Sequence, residues 1–243
     1  LRSETSNALD KLFVKNIKSG IEEEIIFSDE PVCVPNISFR QKDRDTNEVY
    51  IGYSSPKTPS RVYLYNFSTK EKKLVKEQLI PSGHNPDDYI VERVEFKSHD
   101  GRLVPITITR HKKTKIDGSA NLLLYGYGSY GNSMSPSFSS TRLSLINRNI
   151  IWATAHIRGG MEKGMKWWKE GKLINKKNTF EDYIYAAKYL IEKKYTSKGK
   201  IIGMGGSAGG LLMGAVVNKA PNLFLGMIMA VPFVDSLTTN LDH

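Results

Sequence analysis

The chain has 243 residues, of which 40% are hydrophobic, and it carries a formal net charge of +10. This length and apolar content suffice to bury a core, and no apolar run approaches the roughly 20 residues that a membrane-spanning helix requires. The N-terminal residues also lack the charged-then-apolar order of a signal peptide. We therefore predict a globular, soluble, cytoplasmic protein with no membrane partner.

The excess positive charge is dispersed along the chain. Lysines occur in scattered pairs, often near Asp or Glu, and not in one basic stretch. Scattered charge is typical of a solvated surface and argues against a nucleic-acid partner. The single cysteine, Cys33, cannot form an internal disulfide, and no Cys/His spacing indicates a zinc site. We expect Cys33 to be a core residue and predict neither a metal nor a cofactor.

Residues 1–83 favour β-structure. Short apolar runs separated by polar turns predict strands and no long helix. The predicted strands are Leu12–Ile17, Glu24–Phe27, Val49–Ser54, Val62–Asn66 and Lys72–Val75. The last two read as a hairpin. Because so small a sheet leaves exposed edges, we expect this segment to be part of a larger β-domain that continues upstream.

Residues 84–243 favour strands that alternate with helices. A tight hairpin is predicted at His99-Asp100-Gly101, because Asp-Gly readily supplies positive φ. The predicted strands are Ile90–Lys97, Leu103–Thr109, Leu122–Tyr125, Ile150–Ala155, Ile201–Met204 and Phe224–Ala230, and the predicted helices are Thr141–Asn147, Phe180–Ile191 and Ala208–Asn218. Asn178 with Glu181 is predicted to cap the second helix. This alternation indicates an α/β fold with a mostly parallel sheet and flanking helices.

The segment Gly205-Gly206-Ser207-Ala208-Gly209 fits the G-x-S-x-G nucleophile elbow. It follows an apolar strand and opens a helix, which is the context that this motif requires. The pattern predicts Ser207 as a nucleophile raised above the sheet. The Ala208 backbone amide, at the helix N-terminus, is then placed to donate to an oxyanion.

Two glycine patterns also match a dinucleotide-binding fingerprint. The match at Gly203-x-Gly205-x-x-Ala208 lacks the acidic residue expected about 20 residues later. The match at 126–131 is followed by Pro136, where the phosphate-binding helix should already be running. A purely structural glycine turn stays open for the first. The second pattern follows an early strand, and in a hydrolase sheet the loop after such a strand supplies the second oxyanion donor. Tyr127 in this loop is the candidate for that donor. The alternative is that its ring only packs, as buried aromatic rings ordinarily do.

A hydrolytic serine needs a base and an acid that orients the base. His99 and His156 precede Ser207 in the chain, whereas the base of this fold follows its serine, so both are expected to be structural. The remaining candidates follow Ser207: Asp235, Asp242 and His243. We do not expect His243 to be positioned as a base, so we predict that this chain alone is inactive. Arg158 is expected to hold a loop, and Trp167 and Trp168 to pack.

Several segments together resemble one peptidase family. They are the stretches 125–131, 156–160, 176–180, 205–210 and 231–235, which read YGYGSYG, HIRGG, KKNTF, GGSAGG and VPFVD. In these segments the chain resembles the prolyl oligopeptidase family, and within it the oligopeptidase B branch. Met161 departs from the family pattern, because a glycine run usually continues there.

The resemblance implies a fold and an activity. It implies a partial α/β-hydrolase fold over residues 84–243 and the remnant of a β-propeller that gates the site over residues 1–83. It also implies a serine peptidase that cleaves short peptides after Lys or Arg, with Ser207 as nucleophile and with Tyr127 and Ala208 as oxyanion donors. The family's catalytic aspartate, histidine and substrate-binding glutamates fall beyond residue 243.

Two other functions stay open. The chain could be a non-catalytic module that binds a peptide, a complementing chain or itself through an unfinished sheet edge. It could also be an esterase or lipase on the same fold, which the propeller-like N-terminal segment disfavours.

Overall fold

The computed structural model describes residues 1–37 and 46–241. The N-terminal part contains two antiparallel sheets. One consists of β1 (Arg2–Ser6), β2 (Leu9–Lys15) and β3 (Glu22–Glu24); the other consists of β4 (Asn36–Ile37), β5 (Glu48–Tyr53), β6 (Arg61–Asn66) and β7 (Lys72–Glu77). The predicted hairpin is confirmed as the pair β6 and β7. The predicted strand Glu24–Phe27 is wrong in its bounds, because β3 ends at Glu24, although the Ile25 amide still donates to Leu12 O.

The C-terminal part is built on one six-stranded sheet. Its order is β13-β12-β10-β11-β9-β8, with β8 (Tyr89–Lys97), β9 (Leu103–His111), β10 (Leu122–Tyr125), β11 (Ile151–Ala155), β12 (Ile201–Gly206) and β13 (Phe224–Ala230). The pairs among β10, β11, β12 and β13 are parallel, whereas β8 and β9 are antiparallel and β9 is antiparallel to β11. This mixed sheet confirms the predicted α/β fold.

Five α-helices accompany the described sheets: α1 (Ser140–Ile146), α2 (Met165–Lys169), α3 (Lys177–Glu192), α4 (Ala208–Lys219) and α5 (Ser236–Leu241). The predicted cap of α3 is wrong, because the helix begins at Lys177. Asn178 lies inside the first turn of α3, and its side-chain Nδ2 donates to Glu170 O. Glu181 forms an ion pair with Lys219.

The helices cover the two faces of the sheet. Along β11, Ile151 and Ala153 face the main core, into which α3 and α4 bury apolar side chains. Trp152, between them, faces the opposite side and packs with Leu143 and Ile146 of α1. Side chains alternate between the two faces of a strand, and helices cover both faces of this sheet. Consecutive residues of a strand such as β11 are therefore apolar, as predicted.

Two further features bear on the sequence predictions. Cys33 is a free thiol that is only half-buried, so it is not a core residue. Strand β13 pairs only with β12 among the described strands and leaves Leu225, Ile228 and Met229 exposed. Within the described ranges, no helix has both the length and the hydropathy needed to cross a bilayer.

Candidate active site

Ser207 occupies the sharp corner between β12 and α4. Its backbone has φ 55° and ψ −118°, and its side chain is exposed. The Ser207 amide donates to Ala230 O at 2.9 Å, and Ser207 O accepts from the Phe233 amide at 3.1 Å. A non-glycine residue held at such a φ costs about 1–3 kcal/mol, so the surroundings must enforce this corner. The hydroxyl, which has no hydrogen-bond partner among the described residues, stands at the carboxyl end of the sheet.

The small residues around Ser207 are required by close backbone approach. A Cβ on Gly205 would lie 2.3 Å from Gly209 O, and one on Gly210 would lie 2.4 Å from Pro232 Cα. A Cβ on Gly209 would meet Gly126 O at 3.0 Å. These distances are too short for an added carbon, so the glycines predicted from the motif are explained by packing.

The two predicted oxyanion donors lie on elements that meet at this corner. Ala208 provides the first N–H of the 12-residue helix α4, and this amide has no acceptor within the described part of the chain. Tyr127 follows β10, and its Cδ2 is 3.3 Å from where a Cβ on Gly209 would lie. Its ring is half-buried, and its hydroxyl has no hydrogen-bond partner among the residues described. Among the described residues, both groups therefore keep an unused donor, and the Tyr127 ring packs against Gly209 of the elbow.

The glycine loop that carries Tyr127 is fixed from several sides. The Gly126 amide donates to Met204 O at 3.1 Å, and the Gly131 amide donates to Gly159 O at 2.9 Å. Between these ends, Lys176 Nζ donates to Gly128 O at 2.5 Å and to the Ser129 hydroxyl at 2.7 Å. Burial lowers the pKa of Lys176 to about 8.

The sequence predictions include no role for Lys176. With Lys177 it forms one of the scattered lysine pairs that are expected on a solvated surface. The only signal was that Lys176 begins a segment that resembles the family pattern. Lys177 fits the surface interpretation, because its side chain is exposed.

Arg158 holds the loop after β11, as predicted. Its side chain is buried, and Nε and Nη2 donate to the two carboxylate oxygens of Asp182 at 2.9 and 2.6 Å. Nη1 also donates to Asp100 at 2.5 Å. Sequence reasoning missed Asp182, although a carboxylate on the apolar face of α3 is a detectable signal for a buried partner.

The histidines before Ser207 lie where a structural role predicts. His156 is fully buried, with Nε2 2.8 Å from the Thr107 hydroxyl and Nδ1 3.8 Å from Glu162 Oε1. Burial lowers the pKa of His156. His99 is exposed and packs on Tyr185.

The remaining residues named from the sequence are two tryptophans that pack in the structure and three residues near the C-terminus. Trp167 is buried and donates to His156 O, whereas Trp168 is half-buried and stacks under Lys172 Nζ at 3.5 Å. Asp235 is exposed and accepts from the Thr238 amide at 3.1 Å, so it lies at the start of α5. Asp242 and His243 lie outside the described residues.

A cleft of about 370 Å³ opens beside the elbow. Its lining includes Ala208, with Tyr130, Trp168, Leu211 and Phe233 as its larger apolar members. Its charged members are lysines, and no described lining residue is acidic. No group of three or more His, Cys, Asp or Glu in the described ranges is arranged to hold a metal ion.

Comparison with known proteins places this geometry in a family. The model of the prolyl oligopeptidase family matches residues 136–243. Dipeptidyl aminopeptidase BI of Pseudoxanthomonas mexicana is 42% identical over 99% of this chain and 33% of its own length. Protease 2 of Moraxella lacunata is 40% identical over 96% of this chain and 35% of its own length.

Solved structures agree with these relatives. Oligopeptidase B from Trypanosoma brucei, solved with covalently bound antipain in a closed form, superposes with a TM-score of 0.88. The match is 34% identical and covers 98% of this chain and 34% of that chain. The chain thus spans about a third of the length of the curated relatives it matches. With an α/β-hydrolase fold, an elbow in the expected context and these matches, the chain belongs to the prolyl oligopeptidase family.

Proposed function

We propose that this chain supplies the nucleophile and the oxyanion donors of a serine peptidase that hydrolyses short peptides. The observation that carries the proposal is the Ser207 corner, an exposed hydroxyl held at φ 55° between a parallel strand and a helix N-terminus. Such a corner places the hydroxyl where negative charge on a tetrahedral intermediate is stabilised by the helix and its free amides. The family membership supports the same reaction.

The reaction would proceed through an acyl-enzyme. Ser207 Oγ attacks the scissile carbonyl carbon while a base removes its proton, and the carbonyl oxygen becomes an oxyanion. The Ala208 amide and the Tyr127 hydroxyl donate to that oxygen. The amine then leaves with a proton from the same base, and water hydrolyses the Ser207 ester to release the acid.

The described residues place no base beside Ser207. His156 is buried against Thr107 and Glu162, and His99 packs on Tyr185. We therefore infer that the base and its orienting carboxylate come from chain beyond residue 243, and that this chain alone does not turn over. The division into a gating β-segment over residues 1–83 and a peptidase segment over 84–243 belongs to this proposal, as does a cytoplasmic location.

Cleavage after Lys or Arg is the proposed specificity, and it rests on the resemblance to the oligopeptidase B branch. The cleft beside Ala208 contributes Lys172 and Lys176 and no carboxylate among its described residues. A basic substrate side chain would then need its acidic partners from another part of the full-length protein. Fluorogenic peptides that differ only in Arg, Lys, Pro or Phe before the scissile bond test this, and a preference for Pro or Phe would contradict it.

Fluorophosphonate labelling tests the nucleophile. The full-length protein should be labelled on Ser207, and the label should be lost in Ser207→Ala. Ser82→Ala is the matched control, because Ser82 is an exposed serine in a turn. Peptide mapping of the label identifies the modified residue directly.

Two outcomes would overturn parts of the proposal. Full-length protein that leaves Ser207 unlabelled, while a general serine hydrolase in the same reaction is labelled, removes the peptidase assignment. Strong labelling of Ser207 in residues 1–243 alone would show a working base within this chain and remove the proposed inactivity.

A second candidate function is a non-catalytic module that binds a peptide or a partner chain through β13. The supporting observation is that β13 exposes Leu225, Ile228 and Met229 and has one partner strand among those described. An unpaired edge without charged side chains tends to add a strand. Size-exclusion chromatography of residues 1–243 tests this candidate, and a stable monomer that binds no peptide would count against it.

A further inference from the structure

Lys176 connects two parts of the site that are far apart in the chain. It immediately precedes α3, and its ammonium group donates to Gly128 O at 2.5 Å and to the Ser129 hydroxyl at 2.7 Å. Gly128 and Ser129 directly follow Tyr127. The side chain therefore reaches across 48 residues to the loop that carries a proposed oxyanion donor.

Among the described residues, the charge of Lys176 has no counter-ion. Its side chain is half-buried, and within this part of the chain no carboxylate lies within 4 Å of Nζ. It also lies at the N-terminal end of α3, where the helix dipole disfavours a cation. A buried, unpaired charge is costly, whereas the neighbouring Lys177 stays in water. This cost indicates a use for Lys176 beyond solubility.

The charged and titratable groups around Lys176 leave that charge uncompensated. The glycine loop contributes the phenol of Tyr130 to the cleft that Lys176 lines, and Lys172 lines the same cleft. Arg158, after β11, is neutralised by Asp182 and Asp100 on the other side of its loop. Burial lowers the pKa of Lys176 to about 8. Lys176 therefore loses its charge as the pH rises through about 8, which is a pH that experiments can reach.

The loop itself needs an anchor between its ends. Backbone hydrogen bonds fix Gly126 to Met204 and Gly131 to Gly159. Within the part of the chain that the structure describes, Lys176 is the only side chain that donates a hydrogen bond to residues 127–130. Removal of the ammonium group would release the segment that fixes the direction of the Tyr127 ring.

From this geometry we infer that Lys176 is a positioning residue, which holds the glycine loop so that the Tyr127 hydroxyl is directed at the oxyanion formed on Ser207. The effect on catalysis rests on the proposed function. The anchoring of the loop rests only on the two hydrogen bonds from Lys176. The ammonium acts on the loop through Gly128 O and the Ser129 hydroxyl.

The first test measures the loop without any chemistry. Hydrogen exchange of residues 126–131 is followed by mass spectrometry in the full-length protein, its Lys176→Met and Lys176→Arg variants, and the matched control Lys177→Met. Loss of two charge-assisted hydrogen bonds should speed exchange of the loop by about tenfold or more in Lys176→Met. The other two variants should exchange like the parent, and peptides from β8 and β9 report whether each variant is folded.

The second test measures the pH profile of Ser207 phosphonylation. In the parent the rate should fall on the alkaline side with a midpoint at about pH 8, because Lys176 loses its charge there. Lys176→Arg should move this limb to higher pH, since a guanidinium stays protonated. Lys176→Met should be phosphonylated about tenfold more slowly than the parent at pH 7, and its rate should not fall on the alkaline side near pH 8. This loss of rate is smaller than the loss expected when an oxyanion donor itself is removed.

The outcomes separate the anchoring from the proposed function. Unchanged loop exchange in Lys176→Met overturns the anchoring. Faster exchange with an unchanged phosphonylation rate and pH profile overturns the link to Tyr127 and the oxyanion. An unreactive parent protein overturns the proposed function and the catalytic part of this inference, while the exchange data still decide whether Lys176 holds the loop.

Discussion

Arg158 and Asp182 form a fork-to-carboxylate pair in the interior, with Nε to Oδ2 at 2.9 Å and Nη2 to Oδ1 at 2.6 Å. The Arg158 amide donates to the same carboxylate at 3.0 Å. The pair thus fixes both the backbone and the side chain of the loop after β11. That loop accepts the Gly131 amide at Gly159 O, so the ion pair supports one end of the loop that carries Tyr127.

Arg158→Met should destabilise the fold strongly, because it leaves Asp182 buried without its cation. Removal of one partner of a buried ion pair costs about 3–5 kcal/mol in the free energy of unfolding. Urea unfolding followed by tryptophan fluorescence measures this, since Trp167 is buried close to Arg158. Arg102→Met is the control, because its pair with Glu170 is largely exposed and worth at most about 1 kcal/mol. A loss below about 1 kcal/mol in Arg158→Met would contradict the structural role.

Gly159→Ala should be poorly tolerated for two reasons. Its φ is +100°, and an added Cβ would lie 2.0 Å from Gly128 O. Gly101 has a φ of +80° with nothing within 4 Å of an added Cβ, so Gly101→Ala isolates the backbone strain. We expect Gly101→Ala to cost about 1–2 kcal/mol and Gly159→Ala clearly more, because the carbonyl must also move. Equal free energies of unfolding for the two variants would show that the loop yields without cost.

The sequence was sufficient for the central strands and for the elbow. Leu122–Tyr125 and Phe224–Ala230 have the predicted bounds, because a continuous apolar run is visible locally in the sequence, although only the first of these strands is largely buried in the structure. The elbow is also visible as a local sequence motif, although of its glycines only Gly205 is crowded by a near neighbour in the chain, Gly209, while Gly209 and Gly210 are crowded by Gly126 and Pro232. β1 was missed because it is polar and fully exposed, and α2 because it has only five residues.

The supporting side chains of the site were harder to predict. Lys176 acts on a loop 48 residues away, and Asp182 on a residue 24 positions away. The burial of such charges depends on how distant loops approach one another, and no local periodicity encodes that approach. The predicted cap of α3 failed for a related reason, because Asn178 is drawn to the carbonyl of Glu170 instead.

Tyr127→Phe should lower kcat with little effect on folding. The hydroxyl has no hydrogen-bond partner among the described residues, so its loss leaves no buried group unpaired. If it donates to the oxyanion, kcat of the full-length protein should fall about 10²–10³-fold, with a small change in KM. Tyr125→Phe is the matched control, since that ring is also half-buried and stacks on Trp152. Equal kcat for the two variants would remove Tyr127 from the oxyanion site.

His156 should make the fold sensitive to acid. Its ring is fully buried, and burial lowers its pKa below the value of about 6.5 that holds in an unfolded chain. On acidification the unfolded state therefore takes up this proton first. The free energy of unfolding that His156 contributes is present above about pH 6.5 and is lost as the pH falls below it, by up to about 1.4 kcal/mol per pH unit.

The measurement compares urea unfolding at pH 7.5 and 5.5 for the parent chain, His156→Gln and His99→Gln. Titrations shared by all three cancel in the differences, so His156→Gln should lose less stability between the two pH values than the parent. His99 is exposed, and His99→Gln should keep the parental dependence. An identical dependence in His156→Gln would mean that folding leaves the pKa of the ring unshifted and would contradict the prediction. A greater loss in His156→Gln than in the parent would mean that the ring is protonated in the folded state, with Glu162, 3.8 Å away, as its counter-ion.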